Sequence, residues 1–209
     1  MQHFQLFPPI FRQPVRRIRY IELFQLGKIL SAGVFGIDGY LVEVEFDQRT
    51  GLPAVVSEIH GMAQRGGVVE SAVLMGEVTS PIVSNGEADV LVGFEPLETL
   101  RTLGKCSRET LVITNLQPLP PFTVSIGQGT YPPVDEIMSL VSAKVTRVIK
   151  LNGNSLAEEA GNPLSLNMVM LGALIGSGAV AITADGMKET ISTSTKKAFL
   201  DSNLKAFDL

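Results

Sequence analysis

Short apolar runs alternate with amphipathic segments along the second half of the chain. The run ADVLVGF (88–94) has the length and composition of a strand buried on both faces, and ETLVITN (109–115) is similar. The run KVTRVIKLN (144–152) predicts a third strand. One helix is expected to begin at Pro96, where a first-turn amide needs no acceptor, and another at Asp135. Strands alternating with helices predict an α/β three-layer sandwich with a Rossmann-like, mostly parallel sheet.

The C-terminal third of the chain predicts further helices. NSLAEEAG (154–161) predicts a short helix capped by Asn154 or Ser155, with Gly161 just past its end. The end of the chain predicts an amphipathic helix that is broken around residues 192–194. These helices extend the alternating pattern to the C-terminus.

An uncharged stretch over residues 164–184 has the length of a transmembrane segment and contains the GxxxG pair Gly172 and Gly176. Polar residues interrupt it, and closely spaced glycines indicate a helix end followed by a turn. We therefore expect a buried helix from about Pro163 that leads into a short strand or loop, and no membrane span. The interrupting residues are Ser165, Asn167 and Ser177.

The first 56 residues follow a different pattern. Residues 1–30 contain several arginines but no acid before Glu22, and two consecutive prolines break any signal-peptide core. We expect a poorly defined basic leader, followed by a single α/β domain over 31–209 whose opening part, 31–56, is atypical. Strict apolar–polar alternation in GYLVEVEFD (39–47) predicts a half-exposed strand.

Composition and charge narrow the possible functions. Of the 209 residues, 45% are hydrophobic and 18% are charged, which predicts a folded chain with a substantial core. The net charge of -4 argues against a nucleic-acid partner, which requires a basic surface. Cys106 is the single cysteine, so the chain has no internal disulfide and no self-contained iron–sulfur or four-cysteine zinc site. The compartment is expected to be reducing, and the protein cytoplasmic.

Autonomous catalysis is not predicted. Neither GxGxxG nor GxxxxGK[ST] follows a strand, which argues against nucleotide binding by this chain alone. His3 and His60 are the only histidines, so neither a metal site nor a Ser–His–Asp triad is expected. Lys105 and Arg108 lie near Cys106 in sequence, where their charges can lower its pKa. The favoured interpretation is an ordinary thiol in a loop before a strand.

Two places remain as candidates for contact with a ligand or partner. In the HGMAQRGG segment, three glycines permit positive φ and close backbone approach, so Arg65 can be presented to a partner or an anionic ligand. The alternative is a plain connecting loop, with His60 bonded to the backbone and Arg65 solvated. Glu95 precedes Pro96 at a strand-to-helix corner, where it serves either a site or the cap of its helix.

Four stretches, in order over about residues 57–209, resemble the gamma-type domain of the 2-oxoacid:acceptor oxidoreductases. Within that family the resemblance is to the beta subunit of indolepyruvate:ferredoxin oxidoreductases. The stretches are SEIHGMAQRGGVVESAVLMGE, GEADVLVGFEPLETLR, NPLSLNMVMLGAL and FLDSNLKAFDL.

The resemblance implies oxidative decarboxylation of an aryl 2-oxoacid such as indolepyruvate. Coenzyme A takes the acyl group as cosubstrate, and ferredoxin takes the electrons through the complex. The resemblance also implies that this chain binds no cofactor alone, because the thiamine diphosphate and the iron–sulfur clusters belong to a large partner subunit. No residue of this chain is assigned as catalytic.

The resemblance also identifies site residues by matching position. A signature loop, here called the HGMAQRGG loop, contains Gly61, Met62, Gln64, Arg65, Gly66 and Gly67. Glu95 and Pro96 form the strand-end corner, while Asn162 and Asn167 are polar positions around the late helix. Gln64 and Arg65 are expected to face the partner or an anionic cofactor.

Residues 1–56 depart from the family pattern. Such subunits begin with a strand and a GxGGxG-type turn, of which GKILSAG (27–33) keeps only a possible remnant of the first helix. Residues 31–56 resemble the opening segment of magnesium-chelatase-like ATPases, without ATPase machinery. The alternatives are therefore a pyruvate- or ketoisovalerate-type gamma subunit, a non-catalytic α/β interaction protein with an altered front end, and a stand-alone small-molecule-binding domain.

Overall fold

A computed structural model describes residues 18–25, 54–60, 68–75, 82–120, 122–180 and 182–209. Within these ranges, six strands form one sheet in the order β2-β3-β1-β4-β5-β6. Strands β1, β4, β5 and β6 are parallel, and β3 runs antiparallel to its neighbours β1 and β2. The strands are β1 Ile18–Gln25, β2 Ala54–His60, β3 Val68–Met75, β4 Ala88–Gly93, β5 Cys106–Asn115 and β6 Arg147–Leu151.

Seven α-helices are present in the described ranges. They are α1 Pro96–Thr102, α2 Phe122–Ser125, α3 Val134–Lys144, α4 Gly153–Glu159, α5 Leu166–Gly176, α6 Ala184–Ser194 and α7 Lys197–Asp208. Two 3₁₀ turns, Leu103–Lys105 and Pro163–Ser165, precede β5 and α5. The predicted strands at 88–94, 109–115 and 144–152 are confirmed as β4, β5 and β6, although β5 begins three residues earlier than its apolar run.

Strand β1 lies inside the sheet, between β3 and β4. Tyr20 pairs with Val73 of β3 and with Val90 of β4. The expectation of a poorly defined leader over residues 1–30 is therefore wrong for Ile18–Gln25, which form a strand. The surrounding arginines and prolines obscured a stretch of strand length, IRYIELFQ, in which apolar side chains predominate. The strand predicted over 39–47 lies outside the described residues.

The two faces of the sheet carry separate cores, as expected for three layers. Side chains alternate between the faces along each strand, so Leu91 and Val112 pack towards α1 and α3. Val90, Val92 and Ile113 instead join the larger core formed with α4 to α7. The predicted α/β sandwich with a mostly parallel sheet is confirmed.

The uncharged stretch at 164–184 forms the buried helix α5 and the turn that follows it. A Cβ placed on Gly172 would lie 2.1 Å from the carbonyl oxygen of Phe207, so glycine permits the close approach of α5 and α7. Gly176 has open space instead. Of the helices in the described ranges, none is long and apolar enough to cross a membrane.

Two predicted helix boundaries differ in detail. The short helix α4 begins at Gly153 with Asn152 at its N-cap, so the expectation that Asn154 or Ser155 caps it is wrong. Asn154 instead uses its side-chain oxygen as an acceptor for Asn115. Gly161 lies past the helix end with φ +94, as predicted. The C-terminal segment is broken into two helices, but the break falls at residues 195–196, between α6 and α7, and not at 192–194, which end α6.

Candidate functional site at the carboxyl ends of the strands

Glu95 follows β4 at the carboxyl end of the parallel strands, and its side chain is only 3% exposed. Its Oε2 accepts a hydrogen bond from the backbone N–H of Glu98 at 2.9 Å, which caps helix α1. Its Oε1 accepts from the backbone N–H of Leu119 at 3.3 Å and from the hydroxyl of Tyr131. The carboxylate therefore caps a helix and also ties the segment between β5 and α3 to the end of β4.

A pair of threonine hydroxyls joins α1 to β5 beside Glu95. Thr99 Oγ1 lies 2.9 Å from Thr114 Oγ1 and donates to the carbonyl of Glu95 at 2.8 Å. Both threonines are fully buried. A Cβ on Gly93 would lie 1.9 Å from Thr99 Oγ1, so the first turn of α1 can pack this closely only on glycine.

Asn115 ends β5 and connects three segments at the same edge. Its Nδ2 donates to the carbonyl of Phe94 at 3.0 Å and to Oδ1 of Asn154 at 2.9 Å. Its Oδ1 accepts from the backbone N–H of Gly153 at 3.0 Å. These bonds hold the ends of β4 and β5 and the start of α4 in one fixed arrangement.

Burial controls the electrostatics of this edge. Burial raises the pKa of the Tyr131 hydroxyl, and its hydrogen bond to Glu95 raises it further, so the phenol stays neutral and donates. Burial also raises the pKa of Glu98, and the neighbouring Glu95 adds to this while Arg101 opposes it. Arg101 forms an ion pair with Oε1 of Glu98. Among the described residues, Oε2 of Glu98 has no hydrogen-bond partner.

The six candidate site residues of the HGMAQRGG loop fall within residues 61–67, which lie outside the described residues. The strands on either side of the loop are described, and His60 at the end of β2 pairs with Val69 of β3. Because β2 runs parallel to β1 and β4, His60 lies at the edge of the sheet where the parallel strands end. Three strand spacings, about 14 Å, separate β2 from β4. The chain therefore enters this loop at the same edge that holds Glu95.

The two late asparagines have different surroundings. Asn162 Oδ1 accepts from the backbone N–H of Leu164 at 3.1 Å and so caps the 3₁₀ turn before α5. Asn167 is half-buried in the first turn of α5. Neither asparagine is among the hydrogen-bond partners of Glu95 and Asn115 given above.

Cys106 lies at the opposite end of β5 and is completely buried. It is the first residue of the strand, not part of a preceding loop. Burial raises its pKa to about 11, while a hydrogen bond from Thr110 and the charge of Lys144 only partly oppose this effect. The alternative of a thiol with a lowered pKa is therefore wrong, because burial outweighs the nearby charge.

Sequence reasoning identified Glu95 but missed the residues that surround it. Asn115 was detectable in principle, because it directly follows a buried strand at the edge where α/β proteins bind ligands. Tyr131 gave no local signal, since it lies 36 positions from the carboxylate that it contacts. The missed residues are Thr99, Thr114, Asn115, Tyr131 and Asn154.

A family described as pyruvate ferredoxin/flavodoxin oxidoreductase matches residues 33–209. The match begins at residue 33, which is 24 residues before residue 57, where the sequence resemblance starts. It therefore includes part of residues 1–56, which were expected to depart from the family pattern. Indolepyruvate oxidoreductase subunit IorB of Methanothermobacter thermautotrophicus is 40% identical over 163 residues, which are 78% of this chain and 83% of that protein.

Two solved structures share the fold. The gamma subunit of a keto/oxoacid ferredoxin oxidoreductase from Geobacter sulfurreducens superposes with a TM-score of 0.62 at 16% identity, over 92% of this chain and 93% of that chain. A 2-oxoglutarate:ferredoxin oxidoreductase from Magnetococcus marinus, solved with 2-oxoglutarate, coenzyme A and succinyl-CoA bound, gives 0.63 at 21% identity. That alignment covers 93% of this chain but 30% of the other.

The sheet topology and these matches define an oxidoreductase subunit of the kind that acts as part of a complex. The chain belongs to the pyruvate ferredoxin/flavodoxin oxidoreductase family. The resemblance drawn from the four sequence stretches is thereby confirmed.

Proposed function

We propose that this chain is the small subunit of a thiamine-dependent 2-oxoacid:ferredoxin oxidoreductase that acts on indolepyruvate or a related aryl 2-oxoacid. The proposed reaction is oxidative decarboxylation to the acyl-CoA, with electrons passed to ferredoxin in the cytoplasm. The 40% identity to an indolepyruvate oxidoreductase subunit is the observation that favours this substrate over pyruvate or ketoisovalerate.

The cofactors of this reaction are assigned to the large partner subunit. The single cysteine, Cys106, is buried at the far end of β5, and a cluster needs several thiolate ligands. When bound in the partner, thiamine diphosphate would supply the carbanion chemistry. The small subunit would contribute a rigid edge, in which Glu95 and Asn115 hold the loops that face the partner.

The segment between β5 and α3 is the proposed contact with the large subunit. Residues 116–134 contain no charged residue, in a chain where 18% of residues are charged. Leu119 and Ile126 are nonetheless 49% and 46% exposed. Depletion of charge around exposed apolar side chains is typical of the core of a protein interface. Glu95 holds this segment through the Leu119 amide and the Tyr131 hydroxyl.

The HGMAQRGG loop is the second proposed contact, because the described strand β2 enters it from the same edge. We assign Gln64 and Arg65 to the partner or to an anionic group such as coenzyme A, since a guanidinium binds phosphates and carboxylates well. The flanking glycines, 61, 66 and 67, would allow the backbone to approach that group closely.

Co-expression with a candidate large subunit tests the proposal. Anaerobic reduction of ferredoxin or a viologen dye should require indolepyruvate, coenzyme A and both chains. Arg65→Ala should abolish most activity without unfolding the chain, whereas Lys197→Ala, at an exposed position on α7, should not. Full activity in Arg65→Ala would defeat the assignment of that residue.

A substrate panel and a binding assay separate the alternatives. Faster reduction with pyruvate or ketoisovalerate than with indolepyruvate would establish the other gamma-subunit type. Failure of the two chains to associate would favour the non-catalytic interaction protein. Leu119→Asp and Ile126→Asp should each prevent association, while Leu140→Asp, at a 52% exposed position on α3, should not. Tight binding of coenzyme A or thiamine diphosphate to the isolated chain would favour a stand-alone binding domain.

A further inference from the structure

A second concave site lies at the other end of the sheet, where β5 and β6 begin. The cavity has a volume of about 440 Å³. It lies between the C-terminal end of α3 and the start of β6. Its lining includes Arg108, Lys144 and Lys150, together with Ser142, Thr146 and Val148. This volume is within the range of small-molecule sites, roughly 300–1,000 Å³.

Three cationic residues line this cavity in a chain whose net charge is -4. Among the described residues, none of the three forms an ion pair, and neither does the nearby carboxylate of Glu109. Within the described part of the chain, the positive charge of the cavity is therefore not offset by an ion pair.

Ordinary structural roles account for the two lysines separately. Lys144 ends α3, where a positive charge interacts favourably with the helix dipole. Lys150 lies on β6, which ends the sheet among the described strands, and lysine on such a strand discourages pairing with other chains. Neither role accounts for Arg108, which comes from the start of β5 and lines the same cavity. Like charges that line one cavity repel one another, and a bound anion would offset that repulsion.

We propose that this cavity binds a small phosphate-bearing ligand. Arg108 supplies a planar group of N–H donors suited to phosphate, and the two lysines supply mobile charges. Ser142 adds a hydroxyl, and Val148 offers an apolar surface beside the charges. A concave cavity is better matched to a compact anion than to the flat face of an acidic protein. The site lies at the opposite end of β5 from Asn115, and it does not depend on the function proposed above.

Calorimetric titration of the full chain at constant ionic strength tests this proposal, with pyrophosphate and ATP as probes. We expect pyrophosphate to bind at millimolar or lower concentration. Arg108→Gln and Lys150→Gln should each weaken binding by about tenfold, the loss expected for one charge-assisted contact. Lys197→Gln is the matched control and should bind like the wild type, because this exposed lysine lies on α7. Circular dichroism of each variant checks folding.

The two probes distinguish recognition of phosphate groups alone from recognition of a nucleotide. Equal affinities would show that the phosphates alone are recognised, and tighter binding of ATP would indicate a nucleotide. Three results would overturn the proposal: no binding of either probe below about 10 mM, equal loss in Lys197→Gln, or binding of an acidic peptide at these residues while pyrophosphate fails to bind.

Discussion

The side-chain oxygen of Asn115 accepts a hydrogen bond from the backbone N–H of Gly153 at 3.0 Å, joining the end of β5 to the first residue of α4. The two residues are 38 positions apart in the sequence and both are buried. The amide group of Asn115 also donates to Phe94, so a single side chain sets the relative position of three strand-end segments.

Asn115→Ala should destabilise the chain by about 2–4 kcal/mol, because it removes the acceptor of the buried Gly153 N–H and the bond to the Phe94 carbonyl. Asn115→Asp should also destabilise, since a carboxylate cannot donate to the Phe94 carbonyl. Asn152→Ala is the control, because Asn152 is exposed and makes no side-chain cap bond. Urea unfolding measures all three. A loss below about 0.5 kcal/mol in Asn115→Ala would contradict the bridging role.

Tyr131→Phe should release the segment between β5 and α3 without unfolding the protein. The substitution removes only the hydroxyl that donates to Glu95, for an expected loss of about 1–2 kcal/mol. Amide hydrogen exchange should therefore increase at residues 116–131, and little elsewhere. Glu95→Ala should have a larger effect, because it also removes the cap of α1 and the acceptor of the Leu119 amide. Unchanged exchange at 116–131 in both variants would show that Glu95 does not hold this segment.

The two glycines of the GxxxG pair should respond in opposite ways to alanine. Gly172→Ala places a methyl group against the Phe207 carbonyl, so α5 and α7 must separate, with a loss of about 1–3 kcal/mol. Gly176→Ala meets open space and gains helix propensity, so its stability should be unchanged or slightly higher. Thermal unfolding of the pair provides the comparison. Similar melting temperatures for both variants would argue against the close helix contact.

The sheet was predictable where the sequence signal is continuous. β4 and β5 are apolar runs whose burial on both faces needs no knowledge of distant residues. β1 was not recognised, because its charged residues resemble those of the leader before it, and pairing with β3 and β4 is what makes it a strand. A strand of this kind can be recognised only from the strands that pair with it.

The candidate site was predictable only in part, for the same reason. Glu95 is visible from sequence because a polar residue before Pro96 suits a strand-to-helix corner. Asn115 and Tyr131 acquire their roles from contacts that span more than 20 residues of chain, which no local pattern contains. The roles of Gln64 and Arg65 stay predictions based on the family.

Cys106 should react slowly with alkylating reagents in the native protein. Its pKa of about 11 leaves very little thiolate at pH 8, and the side chain is fully buried. Because it is the single cysteine, labelling with iodoacetamide reports on this site alone. The native chain should label far more slowly than the chain in denaturant. Equal rates at pH 8 would contradict the buried, protonated thiol.

Glu98 should make the stability of the chain fall as the pH rises. Burial raises its pKa in the folded state above the ordinary value of 4.5, which we take for the unfolded chain. The protonated carboxyl is therefore favoured by folding. Its stabilising contribution is fully present below pH 4.5 and is lost as the pH rises through the raised folded pKa. Glu98→Gln keeps a neutral side chain of similar shape and removes this titration.

The difference in unfolding free energy between the wild type and Glu98→Gln tests this sign. Measured by urea unfolding from pH 4 to pH 8, the wild type should lose stability relative to the variant as the pH increases. Arg101→Gln should steepen the decline, because Arg101 forms the ion pair that opposes the raised pKa. Asn152→Ala, at an exposed position with no ionisable group, serves as the control and should leave the pH dependence unchanged. A wild type that gains stability relative to Glu98→Gln over this range would show that the ion pair with Arg101 outweighs burial.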